Sequence, residues 1–166
     1  MKLSKLHSFA GGVLALALIS LPLTAKDVRV EKVVNLESLG EQSRDRKLPI
    51  LLMFSQEECP YCSIMEESYL KPMLRNREYQ QKVIIRQVRV DDMDTLTGFN
   101  GERIEVEKFS RRYRAWVTPT LIFLNADGDE IANKLVGIGT EGFFAGDIDN
   151  AIEAALSKLR SVALIK

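Results

Sequence analysis

Apolar residues recur along this chain in two rhythms, and the changes of rhythm mark its elements. Ile50-Leu51-Leu52-Met53-Phe54 is a continuous apolar run, which predicts a strand covered on both faces. Val83 to Val90, with Val83, Ile84, Ile85, Val88 and Val90, predicts a second core strand, and Thr120-Leu121-Ile122-Phe123-Leu124 predicts another apolar strand. Val28 to Val33 alternates apolar and polar residues, which predicts an edge strand. Leu36 to Arg46, Pro60 to Arg75 and Ile104 to Tyr113 return to helical spacing, as do Phe143, Ile148, Ile152, Ala155, Leu156 and Leu159. Pro72 is expected to kink or end its helix near Leu70, because its ring removes a donor and crowds the preceding turn. Asp91 to Gly101 reads as a loop or small hairpin. Asn125-Ala126-Asp127-Gly128 predicts a tight turn into an antiparallel strand over Glu130–Val136. The order β-α-β-α-β-α-β-β-α makes the chain α/β. A central mixed sheet flanked by helices is expected, with a C-terminal β-hairpin and helix.

The first 25 residues do not fit that alternation. Lys2 and Lys5 precede an apolar stretch from Phe9 to Leu21; Pro22 follows, and then Leu23-Thr24-Ala25. This is the layout of a cleaved secretory signal. The stretch is shorter than the roughly 18–20 residues of a spanning helix; an uncleaved anchor is the alternative. Residues 1–25 are therefore assigned to a signal peptide and 26–166 to one domain, and the periplasm is the expected location. Cleavage would remove the only histidine, His7.

Charge adds little. Lys plus Arg and Asp plus Glu number 23 each, which speaks against a nucleic-acid-binding surface. The basic groups at Arg44, Arg46 and Lys47 and at Arg111, Arg112 and Arg114 read as solvated helix faces. A monomer is expected.

The chemistry lies in Cys59-Pro60-Tyr61-Cys62, between a buried strand and a helix. A thiol at a helix N-terminus faces unpaired N–H groups and the positive end of the helix dipole, and both favour the thiolate. Pro60 suits the first helical position, where an N–H would lack a partner. Cys59 reads as the exposed nucleophile and Cys62 as the sheltered resolving thiol. The only cofactor expected is the redox-active disulfide Cys59–Cys62 itself. Half a zinc site is the alternative. Zinc needs four ligands, and the mature chain offers two thiols and no histidine, so no metal is expected.

With Val117-Thr118-Pro119-Thr120 ahead of a core strand, the chain resembles the thioredoxin superfamily over residues 28 to 160. The resemblance implies a thioredoxin-like fold. It also implies a cis peptide before Pro119 and a substrate-binding role for Thr118 and Pro119, with Thr118 pairing an extended substrate segment. Read from the sequence alone, the alternative is a trans proline opening a strand; the cysteine motif and the strand order favour cis. Asp91, Tyr113 and Gly137 also fall where thioredoxins place such residues, in structural positions. Three departures stand out. Met53 replaces the buried Asp of thioredoxins, Gln87 replaces its partner Lys, and Glu58 replaces the aromatic before the first Cys. Proton transfer is accordingly expected from water, Glu57 or Glu58.

The motif, with Thr before Pro119, looks like glutaredoxins, periplasmic isomerases of the DsbC/DsbG type and exported thioredoxins of the SoxW type. The insertion with Gly98-Phe99-Asn100-Gly101 leading into Glu107 to Tyr113 looks most like the SoxW type, related to the Dsb proteins. The expected activity is protein-disulfide reduction or isomerisation on exported proteins. Tyr61 inside the motif and two adjacent carboxylates point to a reducing potential of roughly −180 to −250 mV. Such a reductase needs electrons, so a membrane thiol transporter of the DsbD/CcdA type is the expected partner. A non-catalytic binding or chaperone module on the same fold is the alternative, as is a dedicated thiol reductase in cytochrome c maturation.

Overall fold

The structure is a computed structural model that describes residues 28–91, 95–140 and 142–163. The proposed signal peptide lies outside the described residues. Strand β1 (Ile50–Ser55) is the spine of a four-stranded sheet of order β2-β1-β5-β6. It runs parallel to β2 (Ile84–Arg89) and antiparallel to β5 (Thr120–Leu124), which pairs with β6 (Leu135–Val136). All six residues of β1 and all five of β5 are buried. The reason is visible in the period of two. Leu51, Met53, Leu121 and Phe123 enter one apolar cluster, while Ile50, Leu52, Phe54, Ile122 and Leu124 enter the other.

Helices cover both faces. The second cluster is closed by α1 (Leu36–Arg46) through Leu36 and Leu39, and by α5 (Val106–Arg112) through Val106 and Phe109. Asn35 caps α1 by accepting the Ser38 N–H at 3.0 Å. The first cluster is closed by α6 (Phe144–Ala163), through Phe144, Ile148 and Ile152, and by the helical stretch that carries the cysteines. That stretch comprises α2 (Pro60–Ile64), a π-helical turn (Met65–Leu70) and α3 (Lys71–Arg75); α4 (Arg77–Gln80) follows.

Several expectations change. Pro72 does not end the helix. The backbone widens instead, so that Lys71 N–H reaches Glu66 O, and the π turn absorbs the missing donor. Val28 to Val33 forms no regular strand. It lies along β2 through one bridge, Lys32 to Gln87, with Val33 N–H donating to Gln87 O at 2.9 Å. The expected strand over Glu130–Val136 is interrupted: Glu130 bridges Leu124, and pairing resumes only at Leu135. The polar segment after β2 is a hairpin of β3 (Thr95–Thr97) and β4 (Arg103–Glu105), which takes Ile104 out of the predicted helix. Phe143 stays outside the core at 73% exposure, and Phe144 takes the buried place. Among the described residues no helix is long and apolar enough to cross a membrane.

Candidate active site

Strand β1 ends at Ser55, and Gln56, Glu57 and Glu58 lead into Cys59, the N-cap of α2. Cys59 keeps extended backbone angles, and its sulfur accepts the Cys62 N–H at 3.1 Å. Pro60 occupies the first turn, as its missing donor predicts. Cys59 and Cys62 are joined by a disulfide, with Cα atoms 5.2 Å apart. The two ends differ in burial. Cys59 is half-buried at the surface, whereas Cys62 is 5% exposed and belongs to the apolar cluster of Met53, Met65 and Leu121. Tyr61 stands in solvent at 63% exposure.

The loop before β5 meets the disulfide from the other side. The Thr118–Pro119 peptide bond is cis, and the Thr118 carbonyl oxygen lies 3.8 Å from Cys59 Sγ. Thr118 Oγ1 is 3.7 Å from the same sulfur and donates to Gln56 Oε1 at 2.7 Å. Pro119 is buried, and its carbonyl accepts the Gly137 N–H at 2.8 Å, which ties the loop to the far hairpin. Gln56, Val90, Ala115, Trp116 and Thr118 line a shallow cavity of about 240 Å³ beside it. Trp116 and Val117 are exposed there.

Glu57 and Glu58 lie on the loop that leads into Cys59. Glu57 is engaged at both ends: its N–H donates to Asp91 Oδ2 at 2.7 Å, and its carboxylate faces Arg89 Nη2 at 3.4 Å. Asp91 also pairs with Arg89 Nε at 3.3 Å. The Glu57 N–H, and then Arg89, hold the Asp91 carboxyl below the usual carboxylate range. Glu58 is exposed and shares a cleft with Gln56, Glu57 and Asp91. Below, Met53 is fully buried in register with Gln87. Gln87 accepts from Ser55 Oγ at 2.9 Å and donates to Val30 O at 2.6 Å. An apolar side chain and a hydrogen-bonded amide thus stand at the two positions where the resemblance to thioredoxins implies an acid and a lysine.

The model of the thioredoxin-like domain matches residues 38–148. The chain belongs to the thioredoxin-like family. Solved thioredoxins share its fold. A wild-type poplar thioredoxin h superposes with a TM-score of 0.53 at 20% identity, covering 73% of this chain and 94% of its own. The germline-specific thioredoxin Deadhead of Drosophila melanogaster gives 0.51 at 19%, covering 75% and 97%. Spinach chloroplast thioredoxin f gives 0.52 at 18%, covering 76% and 93%. No curated relative matches by sequence. A thioredoxin-like fold carrying a Cys-x-x-Cys disulfide at a helix N-terminus supports thiol–disulfide oxidoreductase activity.

The structure thus brings Cys59, Cys62, Thr118 and Pro119 together, with Pro60 and Tyr61 between the sulfurs. Glu57 faces Arg89. Sequence reasoning missed Gln56, which reaches across to Thr118. Its signal was faint: one polar residue among three at a strand-to-helix junction.

Proposed function

We propose that the protein is an exported protein-disulfide reductase or isomerase, acting on periplasmic proteins after removal of residues 1–25. In the reduced protein Cys59 is the thiolate. It attacks one sulfur of a substrate disulfide, forms a mixed disulfide and releases the other substrate sulfur as thiolate. Cys62 then gives up its proton, attacks Cys59 Sγ and releases the second substrate sulfur. The substrate leaves with two thiols, and the enzyme keeps the Cys59–Cys62 disulfide. Thr118 and Pro119 hold the substrate, the Thr118 backbone pairing with an extended segment. Proton exchange runs through water, Glu57 or Glu58. A membrane thiol transporter of the DsbD/CcdA type returns the electrons. The SoxW type, related to the Dsb proteins, is the branch that this reading fits.

The observation that carries the reading is the contact of Thr118 with Cys59 Sγ at 3.7–3.8 Å, on the exposed side of the disulfide. A substrate strand laid on that loop meets the nucleophile. Reduction of insulin by the mature chain, with glutathione or dithiothreitol as electron source, tests it. Cys59→Ala is expected to abolish turnover. Unchanged turnover in that variant would sink the assignment, and binding without turnover in the wild type would favour a chaperone module. Cys62→Ser is expected to accumulate mixed disulfides at Cys59, which identify the substrates.

A further inference from the structure

The Thr118 hydroxyl has one proton and two acceptors within reach. Its Oγ1 lies 2.7 Å from Gln56 Oε1 and 3.7 Å from Cys59 Sγ. The amide oxygen carries no hydrogen, so the shorter contact uses the hydroxyl's single proton. In the disulfide state this is the natural arrangement, because a disulfide sulfur is a weak acceptor. Reduction reverses the ranking. A thiolate is a charged acceptor, and bonds to charged acceptors are roughly twice as strong as neutral ones. Rotation about the Cβ–Oγ1 bond alone would turn the proton from Gln56 to Cys59.

We propose that Gln56 is a positioning residue that competes with the Cys59 thiolate for the Thr118 proton and thereby biases the centre toward its disulfide form. The inference rests on the oxidoreductase reading above. Reduction by a dithiol supplies two electrons and two protons, and the dithiol becomes a disulfide. The Cys59–Cys62 bond breaks, Cys62 keeps one proton as a thiol, and Cys59 remains a thiolate while the second proton passes to water. The Thr118 hydroxyl then swings to Cys59 Sγ and gives up its bond to Gln56 Oε1. That forfeited bond is what Gln56 contributes to the disulfide side. Gln56 is exposed on the loop before α2, so its side chain can be exchanged without opening the core.

The test is equilibration with a glutathione redox buffer, for Gln56→Met and Gln56→Glu, each in the wild-type and the Thr118→Val background. Met offers no comparable acceptor and frees the hydroxyl. The equilibrium should move toward the reduced protein by roughly three- to tenfold, where tenfold is about 30 mV. The apparent pKa of Cys59 should fall in parallel. Glu is a stronger acceptor and should move both quantities the opposite way. In the Thr118→Val background the Met effect should vanish, and the Glu effect should shrink to the plain repulsion between its charge and the thiolate. Equal shifts in both backgrounds, or no shift with Met, would overturn the proposal. A wild-type protein that does not exchange with glutathione at all would overturn the oxidoreductase reading and this inference with it.

Discussion

The two sulfurs of one disulfide stand in opposite surroundings. Around Cys59 the molecule is polar and open, with Gln56, Glu57, Glu58 and Asp91 lining a cleft and Thr118 against the sulfur. Around Cys62 it is apolar and closed, with Met53, Met65 and Leu121 in the same cluster. A thiolate at Cys59 meets water and the Cys62 N–H, whereas one at Cys62 would be stripped of water among hydrocarbon. The difference is the basis of the roles proposed for them. On that reading the nucleophile is the sulfur that lies where charge is tolerated, and the resolving thiol is the one that lies where charge is penalised until the mixed disulfide forms.

The comparison breaks hardest if the floor is made ionic. Met53→Asp would bury a carboxylate beside Gln87, whose amide is already bonded to Ser55 and Val30. Chemical denaturation at pH 7 should show a loss of at least about 3 kcal/mol. Burial raises the folded-state pKa of such a group. The loss should therefore shrink below the ordinary carboxylate pKa, where Asp is neutral in both states, and grow as pH rises. A smaller effect follows from Gln87→Leu. It removes the partner of the Ser55 hydroxyl and the Val30 carbonyl, and should cost about 1–3 kcal/mol by the same measurement.

At the mouth the effects should be smaller, because water replaces what is removed. Asp91→Asn weakens the acceptor that holds the Glu57 N–H and should cost about 1 kcal/mol or less. The sign with pH follows from the lowered folded-state pKa of Asp91. Its contribution is present above the unfolded carboxylate pKa and is lost as pH falls through the folded value. The difference between wild type and Asp91→Asn should therefore close in acid. Smallest of all is Glu57→Gln, which removes one exposed ion pair with Arg89 and should change stability by about 0–1 kcal/mol. A loss of several kcal/mol there would show that the mouth is as tightly built as the floor.

Much of this was legible in the chain. The runs at 50–54 and 120–124 read as apolar strands, the first as one covered on both sides, and they form the middle of the sheet. The cysteine motif at a strand-to-helix junction and the Thr-Pro step before a core strand pointed to one another before any fold was seen. Other features depended on tertiary partners. Alternation at 28–33 matched a strand, but only Lys32 found a bridging partner, at Gln87. At Pro72 the helix does not stop, but its regular pattern is disturbed up to Leu70, where a local π turn supplies an alternative hydrogen-bond pattern. Gln56 could not be read, since its partner Thr118 is 62 residues away and its bond depends on the folded loop.

Alkylation of the reduced protein across a pH series, with each modified cysteine identified by mass spectrometry, tests the asymmetry most directly. Cys59 should react first, with an apparent pKa below the roughly 8.5 of a free thiol, while Cys62 stays unmodified in the folded protein. Equal labelling of the two, or a Cys59 that titrates above the free thiol, would contradict the account.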